Sequence, residues 1–387
     1  MTNLEDEKYM RRAIELAKLG EGYVHPNPLV GAIIVKNGRI VGSGYHRKYG
    51  CKHAEREAFA SLQNKEDAMG ATLYVTLEPC CHDGKTPPCT EAILEHKIAR
   101  VVIGSRDPNP LVHGRGVRIL QSYGVEVVED FLKEECDALN TIFFHYITKK
   151  TPYVFLKYAQ TLDGKIATKT GKSKWISCEK SREDVHFLRH RCMGILVGIQ
   201  TVLSDDPSLT ARYREHPRNP IRIVLDAKLR IPLDATLVKT AGEVPTIVVT
   251  SEEFLDAESG HEMEGLREKR LALENAGVEI LGVPKNPDTK HLSLTALMQE
   301  LGKREIDSVL IEGGGCVNDS AIREDLVDEI QIYLAPKVFG GTAPSPVGGI
   351  GVSEVMDAKQ YHFQSVERIG EDLKLCYRRA EGCLQES

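Results

Sequence analysis

The sequence predicts an α/β protein of two domains, and three observations carry that prediction. A chain of 387 residues is too long for one ordinary core. Segments with helical apolar spacing alternate with short apolar runs along its length, the pattern of helices laid on sheets. The texture breaks near Ile147, where a polar stretch from Thr148 to Pro152 precedes a fresh apolar strand, YVFLKYA. The expected domains are therefore residues 1–147 and 148–387.

Residues 5–19 place Met10, Ala13, Ile14, Leu16 and Ala17 at helical spacing, and the helix ends near Gly20. VGAIIVKNGRIVGSGYH then reads as a β-hairpin around Asn37-Gly38, a pair suited to a primed turn. A helix over 53–62, a strand over 72–76, a helix over 90–95 and a strand over 100–104 follow, before a loop rich in Pro, Asn and Gly. In the second domain strands are expected at 194–198, 221–225, 246–250, 278–281 and 308–311. Helices are expected near 179–191, 263–275 and 293–302. EIQIYLAPKVFGG and FQSVERIGEDLKLCYRR read as two closing strands.

Composition excludes several classes of function. A net charge of −6 argues against a broad nucleic-acid footprint. The first residues are acidic where a signal peptide is basic. No run approaches the roughly 18 to 20 apolar residues of a membrane span, which leaves the cytoplasm as the expected compartment. The ten cysteines are scattered except for Cys80, Cys81 and Cys89, whose clustering reads as metal chemistry rather than a disulfide framework.

That cluster lies downstream of His53-Ala54-Glu55. A catalytic zinc takes three protein ligands and leaves one position for water, whose pKa it lowers to about 7. His53, Cys80 and Cys89 satisfy that count. Glu55, near a helix start, reaches the same cavity without ligating and can carry protons to a ring nitrogen and to departing ammonia. The deaminase signature is H-x-E followed by P-C-x-x-C. Here the segment CHDGKTPP separates Cys80 from Cys89, a departure from that spacing which leaves Cys81 and His82 open as substitute ligands. A closed structural site of His53, Cys80, Cys81 and Cys89 is the rival, but it has no need of Glu55, and adjacent cysteines rarely share one zinc without strain. Nearby, Asn27 offers a donor and an acceptor to a pyrimidine edge, although Asn between prolines also suits a plain turn. Lys85 and Thr86 offer a cation and a hydroxyl suited to phosphate.

In the second domain the strand ending at Glu312 runs into Gly313-Gly314-Gly315, and a helix is expected from Val317 to Arg323. Such a turn lets backbone amides approach a phosphate, but it serves equally as a simple tight turn. GIQTVLSDDPSLTAR presents Thr201, Asp205 and Arg212 in an expected loop after a strand, where open α/β sheets bind ligands. The residues themselves lead to a nucleotide or phosphate binder and no further.

Taken together, HPNPLVGAIIVKNG, HAE, EPCCHDGKTPPCTEAI, KYAQTLDGKIA, SKWIS, GIQTVLSDDPSLTAR and IEGGGCVN resemble, in order and over nearly the whole chain, the bifunctional deaminase–reductase family of riboflavin biosynthesis. The family's zinc motif has the long inter-ligand loop. The resemblance implies a cytidine-deaminase-like α/β/α domain followed by a dihydrofolate-reductase-like α/β domain. It implies deamination of 2,5-diamino-6-(5-phosphoribosylamino)pyrimidin-4(3H)-one to 5-amino-6-(5-phosphoribosylamino)uracil, then reduction of ribosyl to ribityl by NADPH. It implies one Zn2+ per chain, a small phosphorylated pyrimidine as substrate, no nucleic-acid or membrane partner, and a homo-oligomer, dimer or tetramer.

By the same resemblance Asn27, His46, His82, Lys85 and Thr86 contact the deaminase substrate. Ser173, Arg189, Leu209, Arg212 and Glu312 contact the reductase substrate, the arginines on its phosphate. Ala159, Trp175, Thr201, Asp205, Gly314, Gly315, Cys316, Val317, Asn318, Asp319 and Ser320 contact NADP. Ala227 stands where the family carries a hydroxyl, so one cofactor contact is missing.

Overall fold

The structure, a computed structural model, describes residues 3–82, 87–109, 112–255 and 261–380. The chain divides into two units, Met1–Lys150 and Thr151–Ser387.

The first unit begins with helix α1 (Asn3–Ala17), followed by strands β1 (Gly31–Lys36) and β2 (Arg39–Tyr45). Asn37 and Gly38 both have positive φ, 51° and 74°, as the hairpin required. Next come α2 (Ala54–Ala60), β3 (Thr72–Leu77), α3 (Cys89–Glu95) and β4 (Arg100–Ser105). The unit closes with α4 (Arg115–Ser122), β5 (Glu126–Val128), α5 (Lys133–Leu139) and α6 (Thr141–Lys149), which the sequence reading did not foresee. The sheet order is β2-β1-β3-β4-β5, with β1 antiparallel to both neighbours and β3, β4 and β5 parallel.

Alternation along the strands assigns the faces. Ile33, Val35, Tyr74 and Val102 pack with Met10 and Ile14 of α1 and Leu139 of α5. Their neighbours Ile34, Leu73, Val75, Val101 and Ile103 pack with Ala58, Ile93 and Leu120 of α2, α3 and α4. Both faces are thereby covered, the α/β/α layering expected of this unit.

The second unit contains β6 (Tyr153–Thr161), α7 (Glu179–Arg191), β7 (Gly194–Gly198), α8 (Ile199–Asp205), β8 (Ile221–Leu225), α9 (Thr236–Lys239) and β9 (Thr246–Ser251). It continues through α10 (Glu252–Leu255), α11 (His261–Asn275), β10 (Val278–Val283), α12 (Leu294–Lys303), β11 (Ser308–Ile311) and α13 (Gly315–Arg323). It ends with β12 (Glu329–Ala335), β13 (Tyr361–Ile369) and β14 (Asp372–Arg379). The order is β10-β9-β8-β7-β11-β6-β12-β14-β13, parallel from β10 to β12 and antiparallel beyond.

Two expectations are corrected here. The closing segment forms three strands, because Gly370, at φ 61°, turns the chain between β13 and β14. Thr201 and Asp205 lie on helix α8 rather than in a loop, which begins only after Asp206 at φ 39°. Among the described residues no helix is long and apolar enough to cross a membrane.

One close approach governs where α2 sits. A Cβ on Gly44 of β2 would lie 2.4 Å from the Ala58 backbone nitrogen and 2.6 Å from the Ala54 carbonyl oxygen. Only glycine lets the helix carrying Glu55 settle on the strand. Gly44→Ala is therefore expected to destabilise the first unit by about 1–3 kcal/mol and lower its bound zinc. Urea unfolding and metal analysis check this, with the unfolding of the second unit unchanged.

Candidate functional site

Because β1 runs antiparallel to both β2 and β3, the carboxyl ends of β2, β3 and β4 share one edge of the first sheet. His53, the N-cap of α2, Cys80, beyond β3, and Cys89, the first residue of α3, converge there. His53 Nδ1 lies 3.4 Å from the Sγ atoms of both Cys80 and Cys89, and all three donor atoms fall within 4.8 Å of one another. Donors about 2.0–2.3 Å from a tetrahedral zinc stand roughly 3.5 Å apart, so the set fits zinc without rearrangement. Cys81 is outside the cluster.

The electrostatics suit a metal. The Cys89 thiol, helped by His53 and the Cys89 backbone amide, holds the Cys80 thiol well below the usual thiol range against the opposing effect of burial. The same hydrogen bond and burial push Cys89 up, so metal binding displaces a proton. Burial, then the negative charge on Cys80, raises the Glu55 carboxyl above the usual carboxylate range.

Around this centre, His46 Nδ1 donates to the Lys52 carbonyl at 3.0 Å. Its Nε2 therefore accepts from Asn27 Nδ2 at 3.2 Å, leaving the Asn27 carbonyl oxygen for a ligand. His82 Nδ1 is buried without a hydrogen-bond partner among the described residues, the condition of a group awaiting one. Lys85 and Thr86 lie outside the described residues. Arg56, absent from the sequence reading, donates to the Pro87 and Pro88 carbonyls at 3.1 and 2.9 Å and ties α2 to the Cys89 approach.

In the second unit, Arg189 of α7 forks onto Glu312 at the end of β11, at 2.6 and 3.1 Å, and also donates to the Thr210 carbonyl. Lys157 of β6 approaches the same carboxylate at 3.5 Å. Burial opposes ionisation of Glu312, but Arg189 and Lys157 outweigh it and hold the carboxyl at about 2. The Arg212 backbone amide donates to His186 Nδ1. Burial, then Arg189 and Arg212, pushes His186 down to about 4, the mark of a positive pocket. Leu209, at φ 51°, is buried, and Ser173 is half-buried in the loop before α7. The sign of Lys157 in the sequence was a charge inside an apolar strand.

The glycine turn opens directly into α13. Gly314 is its N-cap, no side chain caps it, and a Cβ on Gly314 would meet nothing. The first-turn amides are thus free of side chains and fit a dinucleotide diphosphate. Cys316, Val317 and Ser320 line an adjoining cavity of about 660 Å³ together with Gly198, Leu225 and Ala227. Asn318 is buried and donates to the Pro346 carbonyl, while Asp319 pairs with Arg323. Trp175 is largely exposed under the Arg182 guanidinium, 4.6 Å from its ring centre. Ala159 is half-buried on β6.

Residues 4–105 match the cytidine and deoxycytidylate deaminase zinc-binding region, and residues 152–375 match the RibD C-terminal domain. The riboflavin biosynthesis protein RibD of Actinobacillus pleuropneumoniae is 50% identical over 97% of this chain and 95% of its own. That of Escherichia coli is 38% identical over 96% and 99%. A Thermotoga maritima structure, described as a diaminohydroxyphosphoribosylaminopyrimidine deaminase/5-amino-6-(5-phosphoribosylamino)uracil reductase, superposes at TM-score 0.84 with 40% identity, over 98% and 99% of the two chains. Acinetobacter baumannii RibD superposes at 0.83 with 34% identity, over 98% and 100%.

The chain belongs to the RibD family.

Membership makes it a bifunctional deaminase and reductase of riboflavin biosynthesis, with zinc and NADPH as cofactors. The expected order, a deaminase-type α/β/α unit followed by a dihydrofolate-reductase-like α/β unit, holds for this RibD-family chain. The ligand geometry carries one prediction. Cys89→Ser is expected to lose most bound zinc, whereas Cys81→Ser retains about one zinc per chain. Metal analysis of the two purified variants separates the outcomes.

Proposed function

We propose that residues 1–147 hydrolyse the ring amidine of 2,5-diamino-6-(5-phosphoribosylamino)pyrimidin-4(3H)-one, and that residues 148–387 reduce the ribosyl group of the product to ribityl with NADPH. The observation that supports this best is the His53, Cys80 and Cys89 donor set beside a buried Glu55. The rival of a base deaminase acting on nucleic acid gives no role to the second unit's glycine turn and positive pocket.

Bound zinc supplies a water acidic enough to be hydroxide at neutral pH. Glu55, whose carboxyl pKa is raised above the usual range by burial and the Cys80 charge, carries a proton to the ring nitrogen and then to the leaving ammonia. Water and the amidine thus become a ring carbonyl and ammonia. The Asn27 carbonyl oxygen and His82 hold the pyrimidine edge, with His46 fixing Asn27 in place. Lys85 and Thr86 take its phosphate.

In the reductase, NADPH supplies the hydride. The Gly314–Ser320 turn binds the diphosphate, and Ala159, Trp175, Thr201 and Asp205 complete the cofactor site. Arg212 receives the substrate phosphate, Ser173 and Leu209 flank the substrate, and Arg189 orients Glu312 toward it. An anionic substrate suits this pocket because two cations face a single carboxylate at Glu312. The protein acts in the cytoplasm as a homo-oligomer. Ile350, Val355, Met356, Phe363 and Val366, all exposed on or before β13, supply an apolar surface for a second copy.

Glu55→Gln is expected to cut ammonia release by about 10²–10⁴-fold while NADPH oxidation on pre-deaminated substrate survives. Following ammonia and NADPH absorbance separately tests this, and retained deamination refutes the role of Glu55. Arg212→Ala is expected to weaken reductase substrate binding by about 10- to 100-fold, the worth of a charged hydrogen bond. NADPH binding measured alongside should stay within about twofold of the wild type, and equal losses would count against the assignment.

A further inference from the structure

The segment after α8, residues 208–212, carries Leu209 and Arg212 and is tethered from several sides. Arg222, fully buried on β8, donates to the Ser208 carbonyl at 3.4 Å. Arg189 of α7 donates to the Thr210 carbonyl at 3.2 Å. The Ala211 amide donates to Asn219 Oδ1 at 3.0 Å, and the Arg212 amide donates to His186 Nδ1 at 3.3 Å. These ties hold Leu209 buried at φ 51°, a backbone region that a leucine rarely adopts.

The tie to His186 has a chemistry of its own. A backbone amide only donates, so Nδ1 offers its lone pair and the ring proton sits on Nε2. The charged groups facing the ring are Arg189 on its own helix, Arg212 of the tethered segment and Glu312 at the end of β11. Burial and the two guanidinium groups keep the imidazole neutral. The acceptor therefore carries no charge. A carboxylate at the same place would accept the amide equally well, but it would also neutralise the guanidinium of Arg212 or Arg189. Arg212 is exposed and makes no ion pair among the described residues, so its charge is whole.

We infer that His186 is a positioning residue for the reduction: it fixes the backbone of Arg212 without cancelling the arginine's charge, and so presents that guanidinium to the substrate phosphate. The role rests on reading Arg212 as the phosphate contact. A loop arginine free to move would have to be ordered each time substrate binds, whereas a tethered one has met that cost on folding. The benefit falls on substrate affinity, because the phosphate is held equally before and during hydride transfer.

Steady-state reduction of pre-deaminated substrate by the full-length, zinc-loaded protein tests this with three variants. His186→Phe keeps a ring but removes the acceptor, and should raise the substrate KM about 3- to 10-fold with kcat within about twofold. His186→Asn restores an uncharged acceptor and should bring KM back to within about twofold of the wild type. His186→Asp restores an acceptor that carries charge, and should raise KM at least about tenfold. NADPH affinity, read from the fluorescence of the bound dihydronicotinamide, should stay within about twofold in all three. An unchanged KM in the Phe variant, an Asn variant no better than Phe, an Asp variant as good as Asn, or a parallel loss of NADPH affinity overturns the role of His186. If Arg212→Ala also leaves KM unchanged, the phosphate contact at Arg212 fails with it. If Arg212→Ala raises KM while the His186 variants do not, the role of His186 alone falls.

Discussion

Three metal donors that leave from three separate backbone elements have to meet within a few ångströms, and the first unit is arranged around that requirement. Neither a single helix nor the hairpin brings His53, Cys80 and Cys89 together; only the seating of α2 and α3 at the carboxyl edge of the sheet does. Gly44 lets α2 descend onto β2, and Arg56 then holds the Pro87-Pro88 approach to Cys89. The Thr90 amide closes on the Cys80 carbonyl at 3.2 Å, locking α3 to the loop after β3. The same seating buries Glu55, and burial raises its carboxyl pKa. Packing thereby sets both the ligand geometry and the proton affinity of the group that works beside it.

The second unit solves a different problem, the handling of anions in a half-buried pocket. Its charges come as networks rather than as isolated pairs. Glu312 balances only part of the charge of Arg189 and Lys157, and His186 is forced neutral beside Arg189 and Arg212. A comparable arrangement surrounds Tyr333, whose hydroxyl donates to Asp184 at 2.5 Å while Lys374 reaches the same carboxylate at 2.6 Å. Removing a single member of such a group leaves a buried charge without its partner, which costs far more than an exposed ion pair is worth.

Much of the fold was legible because its signals are local. The hairpin around Asn37-Gly38 announces itself through two residues that tolerate positive φ, and each strand face follows from alternation. The helices from Arg115 on were missed: α5 buries only Cys136 and Leu139 and α6 only Ile142, whereas α4, with Val117 and Leu120 buried one turn apart, does carry a helical pattern. The β13–β14 hairpin was merged into one strand because β13 is exposed on nearly every residue and lacks the buried–exposed alternation that marks a strand. Arg222 shows a further limit. It begins β8 like a solvent-facing charge, yet it is fully buried and donates to Thr246, Thr240, Leu237 and Val244. Its partners, the Ser208 carbonyl among them, come from 14 to 24 residues away, so no local pattern reveals it. The metal ligands were legible for a chemical reason, since few other tasks require one imidazole, two thiols and a neighbouring acid.

Both sites lie at the carboxyl ends of parallel strands, and topology explains why unlike chemistries share that address. Strands that run the same way end together, and the following helices begin there, so side chains and uncapped amides from distant segments converge on one edge. In the first unit that edge presents sulfur and imidazole from loop and helix starts, which suits a metal and the polarised water it brings. In the second it presents bare amides at Gly314, a carboxylate at Glu312 and cations beyond β8, which suit a dinucleotide and a phosphorylated sugar. The scaffold explains where each reaction occurs. The identity of a few residues at the strand ends decides which reaction it is.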